Sequence, residues 1–194
     1  NLTVYDADDV AVDLFSSATP TIRDLKVIEG GQDWTFPSYW RYGIGLSIGA
    51  GSAPNVDGVE MSNLVTRGLN FWGNSGGLFR NISIDNVTGA TLGMAAGIWI
   101  EDSRPLIEHA SVDKADHGAI VRHINDSLIT RSVFRDLEIT NSMYKALLID
   151  KEDHTNYTNY QSAIIEGLYI AGTGGAGAKT AGLATSTVEV NATG

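Results

Sequence analysis

Cysteine is absent from the 194 residues, which excludes disulfide frameworks, thiolate metal sites and thiol catalysis. Proline occurs only 4 times, and cations are scarce, with 13 Lys and Arg against 23 Asp and Glu, for a formal net charge of -10. No basic stripe is present to neutralise phosphates, so nucleic acid is not an expected partner, and anionic membrane surfaces are disfavoured for the same reason. No apolar run reaches the roughly 18 residues of a spanning helix, so membrane insertion is not expected. Amphipathic helical stretches with caps are also missing. What is abundant is glycine, 22 residues, together with short β-branched runs punctuated by Gly, Asn and Asp, the pattern of many short strands.

The strands recur. Segments beginning at Ile22, Val56, Phe79, Ile107, Phe134 and Ile165 carry apolar residues at relative positions 1, 4 and 6. Their starts are 34, 23, 28, 27 and 31 residues apart, a spacing typical of solenoid repeats. Positions 4 and 6 share one strand face. Position 8 is Asn63, Asn86, Asn141 or Gly172 in four repeats, residue types that tolerate a left-handed turn. A second row lies between these: Gly43–Ile48, Gly68–Phe71, Gly97–Ile100, Gly118–Val121 and Ala146–Ile149. Each repeat therefore supplies at least two strands and two turns. Leucine-rich repeats are a poorer fit, because Asn falls at position 8, the apolar set is mixed and no helical return is evident.

Over roughly residues 19–171 the pattern resembles the right-handed parallel β-helix of the pectate-lyase-like superfamily. The resemblance implies an all-β, single-stranded parallel β-helix solenoid of about seven to eight coils and says nothing specific about substrate. The expected organisation is a β-helix domain over 1–171 with insertions near 30–42 and 150–161, a Gly/Ala-rich tether over 172–182 and a C-terminal strand within 183–194.

Position 2 reads Arg23, Asp57, Arg80, Glu108, Arg135 and Glu166, alternating in sign at every repeat. Stacked coils bring like positions to about 4.8 Å, so the column reads as a charge ladder whose pairs contribute a few tenths to ~1 kcal/mol each.

Six N-x-Ser/Thr sequons occur, at Asn1, Asn81, Asn86, Asn125, Asn156 and Asn191, where about 2 are expected from composition. The excess points to an extracellular or cell-surface glycoprotein. Asn1, Asn81, Asn125, Asn156 and Asn191 are the candidate acceptors; Asn86 belongs to the turn column and is the weakest.

No cofactor, metal or catalytic set is expected. Asp6, Asp8 and Asp9 are dense but lack the glycine and terminal glutamate of a calcium loop, and His109, His117, His123 and His154 have no ligand spacing. Hydrolases of the resembled superfamily carry N-T-D, D-D and G-H-G motifs. Here Asp8-Asp9, Glu101-Asp102 and Asp116-His117-Gly118 occur, without N-T-D or G-H-G. Asp85 stacks on Asp113 at position 7, a pair close enough to share a proton. Trp34, Tyr39 and Trp40 form an aromatic-rich loop, either a platform for sugar rings or a small core against the solenoid.

Leu2–Tyr5 reads as a strand with no capping helix before it, and the last strand sits on a tether. The functional expectation is a structural protein: a glycosylated β-helix whose copies assemble head to tail into a surface filament or sheath, with C-terminal strand exchange as one route. The alternative is a carbohydrate-binding or polysaccharide-degrading β-helix, acting as a lyase or glycoside hydrolase if it is an enzyme.

Overall fold

A computed structural model describes residues 1–31, 42–89, 95–123, 131–151, 162–172, 183–185 and 188–191. The described residues form fifteen strands and no helix. Eight lie in one parallel sheet: β1 (Leu2–Ala7), β3 (Thr21–Gly30), β5 (Asn55–Leu64), β7 (Leu78–Val87), β9 (Leu106–Ala115), β11 (Arg131–Thr140), β13 (Ser162–Ala171) and β15 (Val188–Asn191). Seven lie in the other: β2 (Val10–Leu14), β4 (Ile44–Ile48), β6 (Arg67–Phe71), β8 (Ala96–Glu101), β10 (His117–His123), β12 (Lys145–Lys151) and β14 (Leu183–Thr185). The chain passes from one sheet to the other at every step, and each strand pairs with the strands two before and two after it. This all-β, two-sheet parallel arrangement is compatible with a β-helix-like fold.

The ten-residue strands of the first sheet are bent twice. Position 8 takes a left-handed conformation in all six repeats, at Glu29, Asn63, Asn86, Lys114, Asn141 and Gly172. Position 3 does the same at Asp24, Gly58, Asn81, His109, Asp136 and Gly167. The sheet pairing skips both positions, joining Arg23 to Asp57 and Leu25 to Val59 but not Asp24 to Gly58. A left-handed residue turns the chain, so positions 1, 4, 6 and 9 all come to point inward.

The interior follows from those bends. Position 1 buries Val56, Phe79, Ile107, Phe134 and Ile165, and position 6 buries Val27, Met61, Ile84, Val112 and Ile139. The second sheet answers with Leu46, Leu69, Ile98, Ala119 and Leu147, and two residues on with Ile48, Phe71, Ile100, Val121 and Ile149. Phe71 and Phe79 meet edge to face at 4.8 Å, a favoured aromatic geometry. Just before the first of these rows stand Gly45, Gly68, Gly97 and Gly118. A Cβ at Gly45 would sit 2.6 Å from Met61 Sδ, and one at Gly68 would sit 2.9 Å from Ile84 Cδ1. At Gly97 and Gly118 it would run into Val112 and Ile139. The position-6 side chains fill the space that these glycines leave open.

Residues 183–194 carry two short strands, where the sequence reading expects one. β14 pairs with β12 and β15 pairs with β13 of the same chain.

Candidate functional site: a groove across the second sheet

The outer face of the second sheet carries the side chains that alternate with the core row. Register aligns Asp13 with Ser47, Ser47 with Asn70, Asn70 with Trp99, Trp99 with Ile120 and Ile120 with Leu148. Three residues earlier the same strands align Val10, Ile44, Arg67, Ala96, His117 and Lys145. Ala96, Trp99 and Ile120 form a second, small apolar cluster with Leu148 packed against it.

Trp99 anchors the polar part of this face. The Arg67 guanidinium lies 3.9 Å from its ring centroid and that of Arg122 lies 5.4 Å away. Arg67 is 8% exposed and its Nη1 donates to Asn70 Oδ1 at 2.5 Å. Burial lowers the Arg67 pKa from 12.5 to about 10; Glu101 opposes that shift and the like charge of Arg122 adds to it. Trp99 Nε1 donates weakly to Glu101 Oε2 at 3.4 Å, and Glu101 is the register partner of Arg122.

Over this floor runs a groove of about 610 Å3 crossing β2, β4, β6 and β8, lined by Asp9, Asp13, Phe15, Ser47, Arg67, Asn70, Trp72 and Glu101 among others. Ser47 and Asn70 are buried polar residues of its floor. Trp72 follows Asn70 by two residues, and its indole lies directly over Gly49, where a Cβ would meet the ring. Its Nε1 faces Ser47 Oγ at 3.3 Å, and its ring centroid is 5.8 Å from that of Phe15, tilted by 37°. Phe15 is 54% exposed. An aromatic pair thus borders a groove with a fixed hydroxyl, carboxamide and guanidinium in its floor and carboxylates at both ends.

The position-2 column lies on the first sheet. Register places Arg23 beside Asp57, Asp57 beside Arg80, Arg80 beside Glu108, and Arg135 between Glu108 and Glu166. Glu108 accepts from Arg80 Nε at 2.9 Å and from Arg135 Nη1 at 2.7 Å, and Arg135 Nε reaches Glu166 at 2.7 Å. The guanidiniums of Arg135 and Arg80 hold the Glu108 carboxyl below its ordinary value. Asp57 accepts instead from Asn81 Nδ2 at 2.7 Å. From Arg80 to Glu166 the column joins charges to one another.

Asp85 and Asp113 are register partners, but Lys114 Nζ lies 3.1 Å from one and 3.0 Å from the other. Hydrogen bonds from Thr140 and Asn141 and the charge of Lys114, acting against burial, bring Asp113 from 3.8 to about 2. With Lys114 between them, the two carboxylates form an ion-paired network on the surface.

Among the sequons, Asn1 and Asn81 are exposed, Asn86 Nδ2 donates to Asn63 Oδ1 at 2.7 Å, and Asn191 ends β15. Asn125, Asn156, Trp34, Tyr39 and Trp40 lie outside the described residues. No cluster of three metal-binding side chains occurs among the described residues. Nothing in the sequence marks Asp9, Asp13, Phe15 and Trp72 as groove residues, although the period that aligns the strands of this sheet is visible there.

The chain matches no family model, no curated protein and no solved structure.

Proposed function

We propose that the chain is an extracellular single-stranded parallel β-helix of about seven to eight coils that binds polysaccharide along the groove of its second sheet. The observation that carries the reading is the Trp72 indole, laid over Gly49 beside Phe15 on a floor of buried Ser47, Asn70 and Arg67. Sugar rings present apolar C–H faces and hydroxyl edges, and a half-open aromatic wall over fixed polar groups meets both. A second groove of about 440 Å3, on the first sheet beside Asp24, Lys26, Glu60 and Asn81, has no aromatic side chain among its described lining residues. The strand alternation and the two bends per repeat support the coil reading, and the sequon excess supports the extracellular one. The test is titration of neutral and charged oligosaccharides followed by calorimetry. Trp72→Ala should weaken saturable binding at least tenfold with an unchanged circular dichroism spectrum. Absence of binding across the set would dispose of the reading.

A second reading, a subunit stacking head to tail into a surface filament, is favoured by Leu2 and Tyr5, 52% and 67% exposed on β1. Electron microscopy of the protein from a glycosylating host tests it. Filaments with an axial repeat near ~35–40 Å, from coils spaced at ~4.8 Å, are expected, and a monodisperse monomer at all salt concentrations would remove it.

A further inference from the structure

We infer that the groove of the second sheet takes a glycan carrying protonated amines, an amino-sugar polymer, in preference to neutral or uronate chains; this rests on the glycan-binding reading above. The groove is lined by the carboxylates of Asp9, Asp13 and Glu101 and, among its described residues, by one cation, Arg67. That cation is committed: it is 8% exposed, stacked on Trp99 and bonded to Asn70. Glu101 has Arg122 as its register partner, so the surplus of negative charge lies at the Asp9 and Asp13 end. Both of those carboxylates are exposed to solvent. Asp13 is the register partner of Ser47, on which the Trp72 Nε1 lies, and Phe15 follows Asp13 by two residues. Asp9 lines the groove immediately before the same strand.

A carboxylate beside an aromatic face is a site for an ammonium group. The acid accepts a charge-assisted hydrogen bond, and the ring face attracts the same cation. A sugar bearing an amine presents that cation on the edge of a ring whose C–H face stacks on the indole. The buried Ser47 and Asn70 side chains then offer polar groups to its hydroxyls. A uronate would bring its charge toward Asp9 and Asp13 and be repelled. The chain's net charge of -10 acts in the same direction at longer range.

The test is calorimetric titration with three hexamers of matched length, glucosamine, N-acetylglucosamine and galacturonate, at a mildly acidic pH that keeps the amine protonated. The glucosamine hexamer should bind about tenfold or more tighter than the acetylated one. Its affinity should fall with added salt while that of the acetylated hexamer stays level. Galacturonate should bind weakest. Asp9→Asn with Asp13→Asn should reduce glucosamine binding to the acetylated level, whereas Asp24→Asn with Glu138→Gln, the same charge change on the first sheet, should leave it unaltered. Equal affinities for the two hexamers, tighter uronate binding, or an equal loss in the first-sheet variant would overturn the inference while leaving a glycan groove in place. No binding by any of the three would overturn it together with the function on which it rests.

Discussion

The indole of Trp72 occupies the space in which a side chain on Gly49 would begin. A methyl group there would meet ring atoms of the indole, so the two residues form one fitted surface. Gly49→Ala should therefore push the indole off the sheet and out of its contact with Ser47. Overpacking of this kind costs about 1–3 kcal/mol. The expected outcome is a lower Tm, a red-shifted tryptophan emission and weakened oligosaccharide binding in one variant. Unchanged emission and stability would show that the ring is not seated over Gly49 and forms no fixed wall.

The glycine row of the second sheet makes a separate prediction. A Cβ at Gly97 would meet both the Val112 side chain and the backbone carbonyl of Gly118. The side chain can turn, but the carbonyl can move only if a strand shifts. Gly97→Ala should cost roughly 2–3 kcal/mol, while Ala146→Gly, on the strand where the row already carries a methyl group, should cost no more than about 1 kcal/mol. Denaturant unfolding checks the order, and Gly97→Ala combined with Val112→Ala should show a non-additive recovery.

Much of this architecture was legible in the sequence, because the apolar periodicity and the residues tolerant of left-handed turns are local signals. Position 8 announced itself through Asn63, Asn86 and Asn141. Position 3 carried a comparable signal in Asp24, Gly58, Asn81, His109, Asp136 and Gly167, and so the second bend was readable. The groove was not. It needs Ser47 and Glu101 on β4 and β8 and Phe15, Gly49 and Trp72 just past the ends of β2, β4 and β6, and which face each occupies depends on a pairing register that no single segment encodes. Likewise Asp85 and Asp113 read as a carboxylate pair by column, whereas the structure sets Lys114, itself in a left-handed conformation, between them.

Two aspartates should move stability with pH in opposite directions. Asp113 has a folded pKa of about 2, below its ordinary 3.8, chiefly because Thr140 donates to it. Its stabilising contribution is complete above pH 3.8 and is lost as the pH falls toward 2. Asp116 is 2% exposed, and burial raises its pKa against a hydrogen bond from the Gly89 amide. Its charging works against the fold, so that stability is lost as the pH rises from 3.8 through the raised folded value. Asp116→Asn should accordingly raise Tm at pH 7 and change it little at pH 3, while Asp113→Asn should lower Tm at pH 7 and lose that effect near pH 2. Thermal melts of both variants across this range provide the measurement, and a reversed order of the two would refute the assignment.

Glu29 occupies the same left-handed position as Asn63, Asn86 and Asn141, with φ of 62° and an exposed side chain. A glutamate gains nothing from that conformation, because its longer side chain does not form the local hydrogen bonds that make it accessible to asparagine. The turn is imposed on Glu29 by the sheet pairing, since its neighbours Ile28 and Gly30 pair with Ser62 and Leu64 on β5. Glu29→Asn should relieve roughly 0.5–1 kcal/mol of backbone strain and remove one negative charge from an acidic surface. Glu29→Val should do the reverse, because a β-branched side chain crowds the left-handed backbone most. A higher Tm for the asparagine variant and a lower one for the valine variant are expected. If both variants melt together with the parent, position 8 carries no strain in this strand, and the recurrence of asparagine in the column must come from side-chain hydrogen bonding of the kind seen between Asn86 and Asn63.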